Sequence, residues 1–217
     1  MVDVSVLAPR RQPVQARSIE RVSRILAEAA SLISEVGLEA TSMSAIARRT
    51  EMSLASLYRY FPNKTALLQA IAERHVRRLE QTLRDLLPAL DLNNGVNELI
   101  DVYARFYRTE PGYKEIWSSV GAIPELQALD LQELHANARD IQVRIRGLFP
   151  ELDARRAWLA SLLLPRACGT ILRLGMTLSE EDAQGLNDEL KAMVRAYLRD
   201  LYARALATGP LAEDVSP

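Results

Sequence analysis

The sequence predicts an all-α protein: three N-terminal helices, a longer fourth, and a larger set of helices in the C-terminal part. Three observations predict this. Apolar residues recur at three- and four-residue steps along nearly the whole chain, the spacing that lines one face of an α-helix. No stretch alternates apolar and polar residues as a half-buried strand does, and no internal repeat is present. Glycines, prolines and capping residues fall where the periodic stretches break.

Residues 1–16 hold Pro9, Arg10, Arg11 and Pro13 without periodicity, which predicts a flexible basic arm. From residue 17 onward Val22, Ile25, Leu26, Ala29, Leu32, Ile33 and Val36 share one helical face, and Gly37 stops the helix. Thr41 or Ser42 caps a second helix running to about Thr50, and Ser53 caps a short third one ending near Tyr60. Pro62 ends the third, because the residue before a proline resists the helical region. Asn63 caps a longer fourth helix with Leu68, Ile71, Ala72, Val76, Leu79, Leu83 and Leu86 on one side, closed by Pro88. Beyond the DLNNG segment, helices are expected at 95–109, 113–121, 125–148, 152–176 and 180–207, punctuated by Pro111, Pro124, Pro150 and the Ser179 cap. Pro165 falls inside the helix 152–176 and should kink it, either as a bend around the core or beside a cavity. The tail after Gly209 reads as disordered.

Composition narrows the class. Of the 217 residues 48% are apolar and 25% charged, ordinary for a globular protein with a sizeable core. The net charge of −1 is unevenly placed: residues 1–64 hold nine Lys/Arg against six Asp/Glu, the remainder 18 against 22. A basic start on an acidic body points to an anionic partner for the N-terminus. The single Cys168 excludes an internal disulfide and a cysteine-based zinc site. The first 20 residues lack the apolar core of a signal peptide, and the longest compact apolar run, residues 157–164, falls short of the roughly 20 residues of a membrane span. These features predict a cytoplasmic protein.

The stretch SLASLYRYFPNKTALL, residues 53–68, follows a short helix and a tight turn, a helix-turn-helix arrangement. Ala47 is small where the second and third helices approach, and Leu57 is apolar where the third must anchor. At about 100° per residue, Ala55 and Arg59 point away from Leu57 while Ser56 and Tyr58 flank. Small residues at the start of the third helix let its backbone sink into a major groove. Ser56 and Tyr58 can reach phosphates or base edges, and Lys64 opens the fourth helix, where free N–H groups already favour an anion.

Residues 25–71 resemble the DNA-binding domain of TetR-family transcriptional repressors. The resemblance rests on Ala29, Gly37, Thr41, Ile46 with Ala47, Ser53, Leu57 with Tyr58, Tyr60 with Phe61, and Lys64 followed by Ala66, Leu67 and Leu68. It implies DNA contacts at Ser42, Met43, Ser44, Leu54, Ala55, Ser56, Tyr58, Tyr60 and Lys64. Arg17 and Arg59 join them from the polar faces of their helices, where ordinary solvation is the alternative. Tyr60 and Phe61 also read as packing residues that fix the turn into the fourth helix. Two positions depart from the family pattern. Glu51 stands where the turn usually has glycine, and a non-glycine residue at positive φ costs about 1 kcal/mol. Leu54 replaces a common polar or basic contact.

The resemblance divides the chain into an arm at 1–16, a helix-turn-helix DNA-binding domain at 17–65, a ligand-binding and dimerisation domain at 66–208 and a tail at 209–217. A homodimer is expected, because one short helix reads too few base pairs. Leu186, Leu190, Met193, Tyr197 and Leu201 form a wide stripe on the last helix, and the helix 152–176, with Leu162, is apolar almost all round near its middle. The two helices are expected to pair with their copies. Tyr103, Phe106, Tyr107, Tyr113 and Trp117 gather within fifteen residues, as core or as the wall of a ligand cavity. The cavity reading takes Tyr103, Tyr107, Trp117, Arg166, Cys168 and Met176 as lining. That mostly apolar set suggests a hydrophobic or aromatic compound, with Arg166 placed to meet an anionic group.

An enzyme needs placed acid, base or nucleophilic groups. His75 and His135, the two histidines, have no second histidine or glutamate at metal-binding helical spacing, and phosphate-loop and nucleophile-elbow motifs are absent. The expected function is a homodimeric repressor on a palindromic operator in double-stranded DNA, released by a small, largely apolar or aromatic ligand, with no cofactor, metal or membrane. The alternative is a helical ligand-binding or protein-interaction module that has lost specific DNA binding.

Overall fold

Nine α-helices appear among the described residues of a computed structural model, which covers the backbone of 12–86 and 95–208 and the side chains from 18 onward except 83, 86, 207 and 208. They are α1 (Gln12–Val36), α2 (Met43–Arg49), α3 (Leu54–Tyr60), α4 (Lys64–Leu86), α5 (Gly95–Thr109), α6 (Tyr113–Ser118), α7 (Pro124–Leu148), α8 (Ala154–Gly175) and α9 (Glu180–Thr208). No strand occurs among the described residues. The sequence places these helices to within a few residues, with two corrections. Helix α1 begins at Gln12, inside the stretch expected as an arm, because a proline in the first turn gives up only an N–H that has no helical partner anyway. The sixth helix stops at Ser118 and the chain continues as a 3-10 turn at Val120–Ala122. Residues 1–11, the tail 209–217 and the side chains of Leu83 and Leu86 lie outside the described residues.

Local chemistry sets the joints. Gly37 sits at φ 83, where a side chain would be strained. The Ser42 and Ser53 hydroxyls accept from the Ala45 and Ser56 amides and cap α2 and α3. The Asn63 side-chain Oδ1 accepts from the Ala66 amide at 2.8 Å and caps the start of α4. Helix α8 runs on through Pro165, which leaves the Ser161 carbonyl without its helical donor.

One apolar core crosses from the first three helices into the rest of the molecule. It starts with Ile25, Ile33, Ile46 and Leu57, passes along α4 through Leu67, Leu68 and Ile71, and continues through Ile100, Tyr107, Ile116 and Trp117 to Leu190 and Val194 on α9. A second cluster, including Phe149, Leu152, Ala160 and Leu201, closes the far end of α7, α8 and α9. Polar ties fix α9 to α5: the Lys191 ammonium lies 2.6 Å from Asp101, and Arg195 donates to the Asn97 side-chain Oδ1 at 2.6 Å.

The turn between α5 and α6 touches two helices at once. The Gly112 amide, at φ 73, donates to Ser34 Oγ on α1 at 2.6 Å, and a Cβ there would stand 3.1 Å from the Ala30 carbonyl oxygen. Pro111 and Glu110 meet α4 through His75 and Arg78.

Helix α8 is long and apolar enough to cross a membrane by length and composition, although its compact apolar run, residues 157–164, falls short of a span; 28% of its most apolar window is buried. Leu159, Leu163 and Leu174 are among its exposed side chains, and Met193, Tyr202 and Leu206 are exposed on α9.

Candidate nucleic-acid interface and effector cavity

Helices α2 and α3 pack through Ala47 and Leu57, both buried, so the opposite side of α3 faces solvent. Thr50 closes α2, and Arg24 on α1 donates to its carbonyl at 2.8 Å, which ties the turn to the first helix. Glu51 then takes φ 56, the left-handed conformation expected for this turn and one that disfavours a side chain. Leu54, Ala55, Tyr58 and Arg59 are exposed on α3, with Ser56 half-buried beside them. Ser42 and Ser44 are exposed at the start of α2, their hydroxyls 3.1 Å apart. These residues form one small-residue and hydroxyl-bearing surface.

Several expected contacts stand differently. Met43 is buried in the core below α2 and offers DNA no side chain. Tyr60 is half-buried and packs against the same core, as its packing reading has it. The Lys64 ammonium donates to the Leu38 carbonyl at 2.5 Å, so it braces the α1–α2 turn and keeps its remaining donors for an anion. Arg59 donates to Ser56 Oγ at 3.1 Å. Arg49 is held by Glu28 at 3.0 Å and by Glu35 at 2.5 Å; those hydrogen bonds raise the arginine pKa and lower that of Glu35. The side chain of Arg17 lies outside the described residues.

The aromatic cluster borders a cavity of about 100 Å³ between α4, α5, α6, α7 and α8. Tyr107 and Tyr113 stack with centroids 4.3 Å apart, Tyr103 meets Tyr107 edge-on at 6.0 Å, and Tyr113 lies 5.6 Å from Trp117. Burial raises the pKa of all three tyrosines, so their hydroxyls are neutral donors. Trp117 Nε1 donates to His75 Nδ1 at 3.3 Å, and the other ring nitrogen lies 3.1 Å from the Pro111 carbonyl. The proton therefore sits on Nε2, and burial lowers the His75 pKa to about 4.

Tyr103, Tyr107, Trp117 and Arg166 line this cavity as the sequence predicts. Cys168 and Met176 do not; they are half-buried and pack against the core, because their positions on and after α8 turn them away. Pro165 borders the cavity. The lining is also less apolar than expected. Arg166 is paired with Asp130 at 2.7 Å rather than free for an anion, and Glu80, Glu133, Asn137 and Arg173 join the wall. His75 was legible in hindsight, since it continues the series Leu68, Ile71 and Ala72 on the buried face of α4. Glu133 gave no such signal, standing on a helix whose apolar stripe is weak. Among the described residues no group of His, Cys, Asp and Glu is arranged to hold a metal ion.

The expected dimer face needs revision. Leu190 and Leu201 are 2% and 1% exposed and belong to the protomer's own core. Leu162, Leu186 and Tyr197 are half-buried, and Met193 is exposed.

Comparison with known proteins adds an independent line. Residues 25–71 match the family model described as bacterial regulatory proteins, tetR family, and residues 90–202, more than half of the chain, match the tetracyclin repressor-like C-terminal domain. The HTH-type transcriptional repressor KstR of Mycolicibacterium smegmatis is 36% identical over 80 residues, 37% of this chain and 39% of that protein. KstR of Rhodococcus jostii is 41% identical over 61 residues, 28% of this chain and 29% of that one. The chain thus spans about two fifths or less of the length of these relatives. A TetR-family transcriptional regulator structure from Pectobacterium atrosepticum superposes with a TM-score of 0.68 at 20% identity, over 86% of this chain and 96% of that one, a likeness of fold.

Proposed function

The chain belongs to the TetR family of bacterial regulatory proteins, DNA-binding transcriptional regulators rather than enzymes, and from this premise we propose that it is a cytoplasmic homodimeric repressor released from a palindromic operator by a small ligand with an aromatic or apolar body. In this reading residues 17–65 contact DNA and residues 66–208 hold the ligand and the partner. Ser42, Ser44, Ala55, Ser56, Tyr58 and Arg59 meet the groove and its phosphates, and Lys64 adds a phosphate contact.

One observation carries the proposal. Helix α4 begins with Lys64 directly after α3, the recognition helix in this reading, and one stretch of it further on supplies His75, Val76, Leu79 and Glu80 to the cavity wall. A ligand that binds the cavity better in one tilt of α4 shifts the spacing of the two recognition helices by its own differential affinity. The exposed Leu159, Leu163 and Leu174 on α8 and Met193 and Leu206 on α9 support the partner face.

The test selects bound sequences from random duplex DNA and then screens compounds for release of the best one. Trp117 stands at the cavity and Trp158 outside its wall, stacked on His135, so an inducer should change Trp117 emission in the Trp158→Phe protein. Absence of salt-dependent DNA binding would favour an interaction module instead. Release without a Trp117 response would move the ligand elsewhere.

A further inference from the structure

The effector cavity has an aromatic floor and an acidic mouth. Val76, Glu80 and Glu133 belong both to the cavity and to a surface groove between α4 and α7, whose other charged residues are Glu73, Arg77 and Glu125. Arg77 is turned to Glu73 at 3.8 Å and Arg84 to Glu80 at 3.9 Å, which leaves Glu125 and Glu133 as the groove's carboxylates without a salt bridge among the described residues. Along this path one atom lacks what its chemistry requires. Glu133 Oε2 is buried without a hydrogen-bond partner. Such an oxygen is costly to withdraw from water and calls for an explanation. Burial first, and then the Glu80 carboxylate, push the Glu133 pKa up. The nearby cations do not answer it: Arg166 is engaged by Asp130, and the Arg173 guanidinium lies over Gly169 beside the Tyr107 hydroxyl.

We propose that the effector is a one-ring aromatic cation, its ring against the tyrosine and tryptophan faces and its protonated amine donating to Glu133 Oε2, with Glu80 beside it. This rests on the effector-cavity reading above. At about 100 Å³ the cavity is smaller than the roughly 150 Å³ apolar cavity that accepts benzene, but it opens into the groove through Val76, Glu80 and Glu133, so one ring is the upper limit, with its head group at the mouth. The ring faces attract a cation through their quadrupole. The amine supplies the donor that Glu133 lacks, and the carboxylates of the groove raise the local concentration of cations. An anionic compound meets the Glu133 carboxylate as a like charge, and of the two arginines on the cavity wall Arg166 is already engaged by Asp130.

Benzylammonium, benzyl alcohol and benzoate share a ring and differ in charge, so they form the probe set. Each is titrated into the full-length protein at pH 7, followed by Trp117 emission in the Trp158→Phe background and by thermal shift. Benzylammonium should bind at least about tenfold tighter than either partner. Glu133→Gln should abolish that preference, and Arg173→Gln should leave or strengthen it. Benzoate binding as tightly as benzylammonium, or an unchanged order in Glu133→Gln, overturns the proposal. Should Glu133→Gln fail to fold, the order of the three probes on the wild-type residue decides. If none of the three binds while other compounds release DNA, the cation fails and the effector reading stands. If no compound releases DNA, the effector reading itself fails.

Discussion

Lowering the pH from 7 toward 4 should destabilise the protein through His75. Its side chain is 1% exposed, with Nδ1 accepting from Trp117 and Nε2–H donating to the Pro111 carbonyl. Burial is the main cause that takes its pKa from 6.5 to about 4; the Pro111 carbonyl opposes this, and Arg74 and Arg78 add to it. Glu110, 4.0 Å from Nε2, would favour the charged ring but is held by Arg78 at 2.6 Å. Because the folded pKa lies below the unfolded one, the unfolded chain takes up the proton first as the pH falls. This group's contribution is therefore intact above about pH 6.5 and is lost as the pH falls to about 4. At about 1.4 kcal/mol per pH unit, the displacement corresponds to about 3 kcal/mol. Urea unfolding of the wild type and of His75→Gln at a series of pH values isolates the term, since carboxylates titrate in both. The wild type should lose about 3 kcal/mol more than the variant across the window. Parallel pH profiles, or a His75 proton resonance titrating near 6.5, would refute the reasoning.

Four further outcomes are expected. Glu51→Gly relieves a positive φ worth about 1 kcal/mol, partly offset by the entropy glycine adds to the unfolded chain, so the melting temperature should hold or rise slightly with DNA binding kept; a clear drop would mean that Glu51 makes a compensating contact. Lys64→Ala should weaken binding to all DNA sequences, lower the salt slope by about one and also cost about 1 kcal/mol of stability through the lost bond to the Leu38 carbonyl; an unchanged slope removes the phosphate role. Leu163→Glu on the exposed face of α8 should give folded monomers in sedimentation, whereas Leu190→Glu buries a charge and should unfold the protomer; a folded Leu190→Glu monomer would reverse that assignment. Gly112→Ala should lower the melting temperature by the strain of φ 73 and of a Cβ 3.1 Å from the Ala30 carbonyl oxygen, and thermal unfolding reads it directly.

Helix boundaries were legible because their causes are local. Gly37, Ser53, Pro62 and Asn63 act on their own neighbours, and the structure finds the joints there. The strained Glu51 was legible through the family pattern of its turn, which no spacing rule supplies. Relations between helices were harder. The wide stripe on α9 predicts a partner face, but nothing along it says that Leu190 belongs to the core while Met193 faces outward. On α8, Arg166 lines the cavity and Cys168, two residues on, does not, a matter of about 200° around the axis whose origin only packing sets. Glu133 could not be foreseen at all, because a glutamate on a mostly polar helix reads as a solvated charge until a neighbouring helix covers it.

The three-residue turn Glu110–Gly112 grips Ser34 on α1 and His75 and Arg78 on α4, and the next turn of chain carries Tyr113 and Trp117 into the cavity wall. A reading head hung from one bearing can swing like a pendulum; one held by two cannot rotate about either alone. Displacement of Trp117 therefore carries α1 and α4 together, and a tilt of the fourth helix moves the whole head as one piece. Amide exchange measures the coupling: an effector should alter protection at Gly112, at the last turn of α1 and around His75 in the same proportion, and a change confined to α4 would show that the second bearing slips.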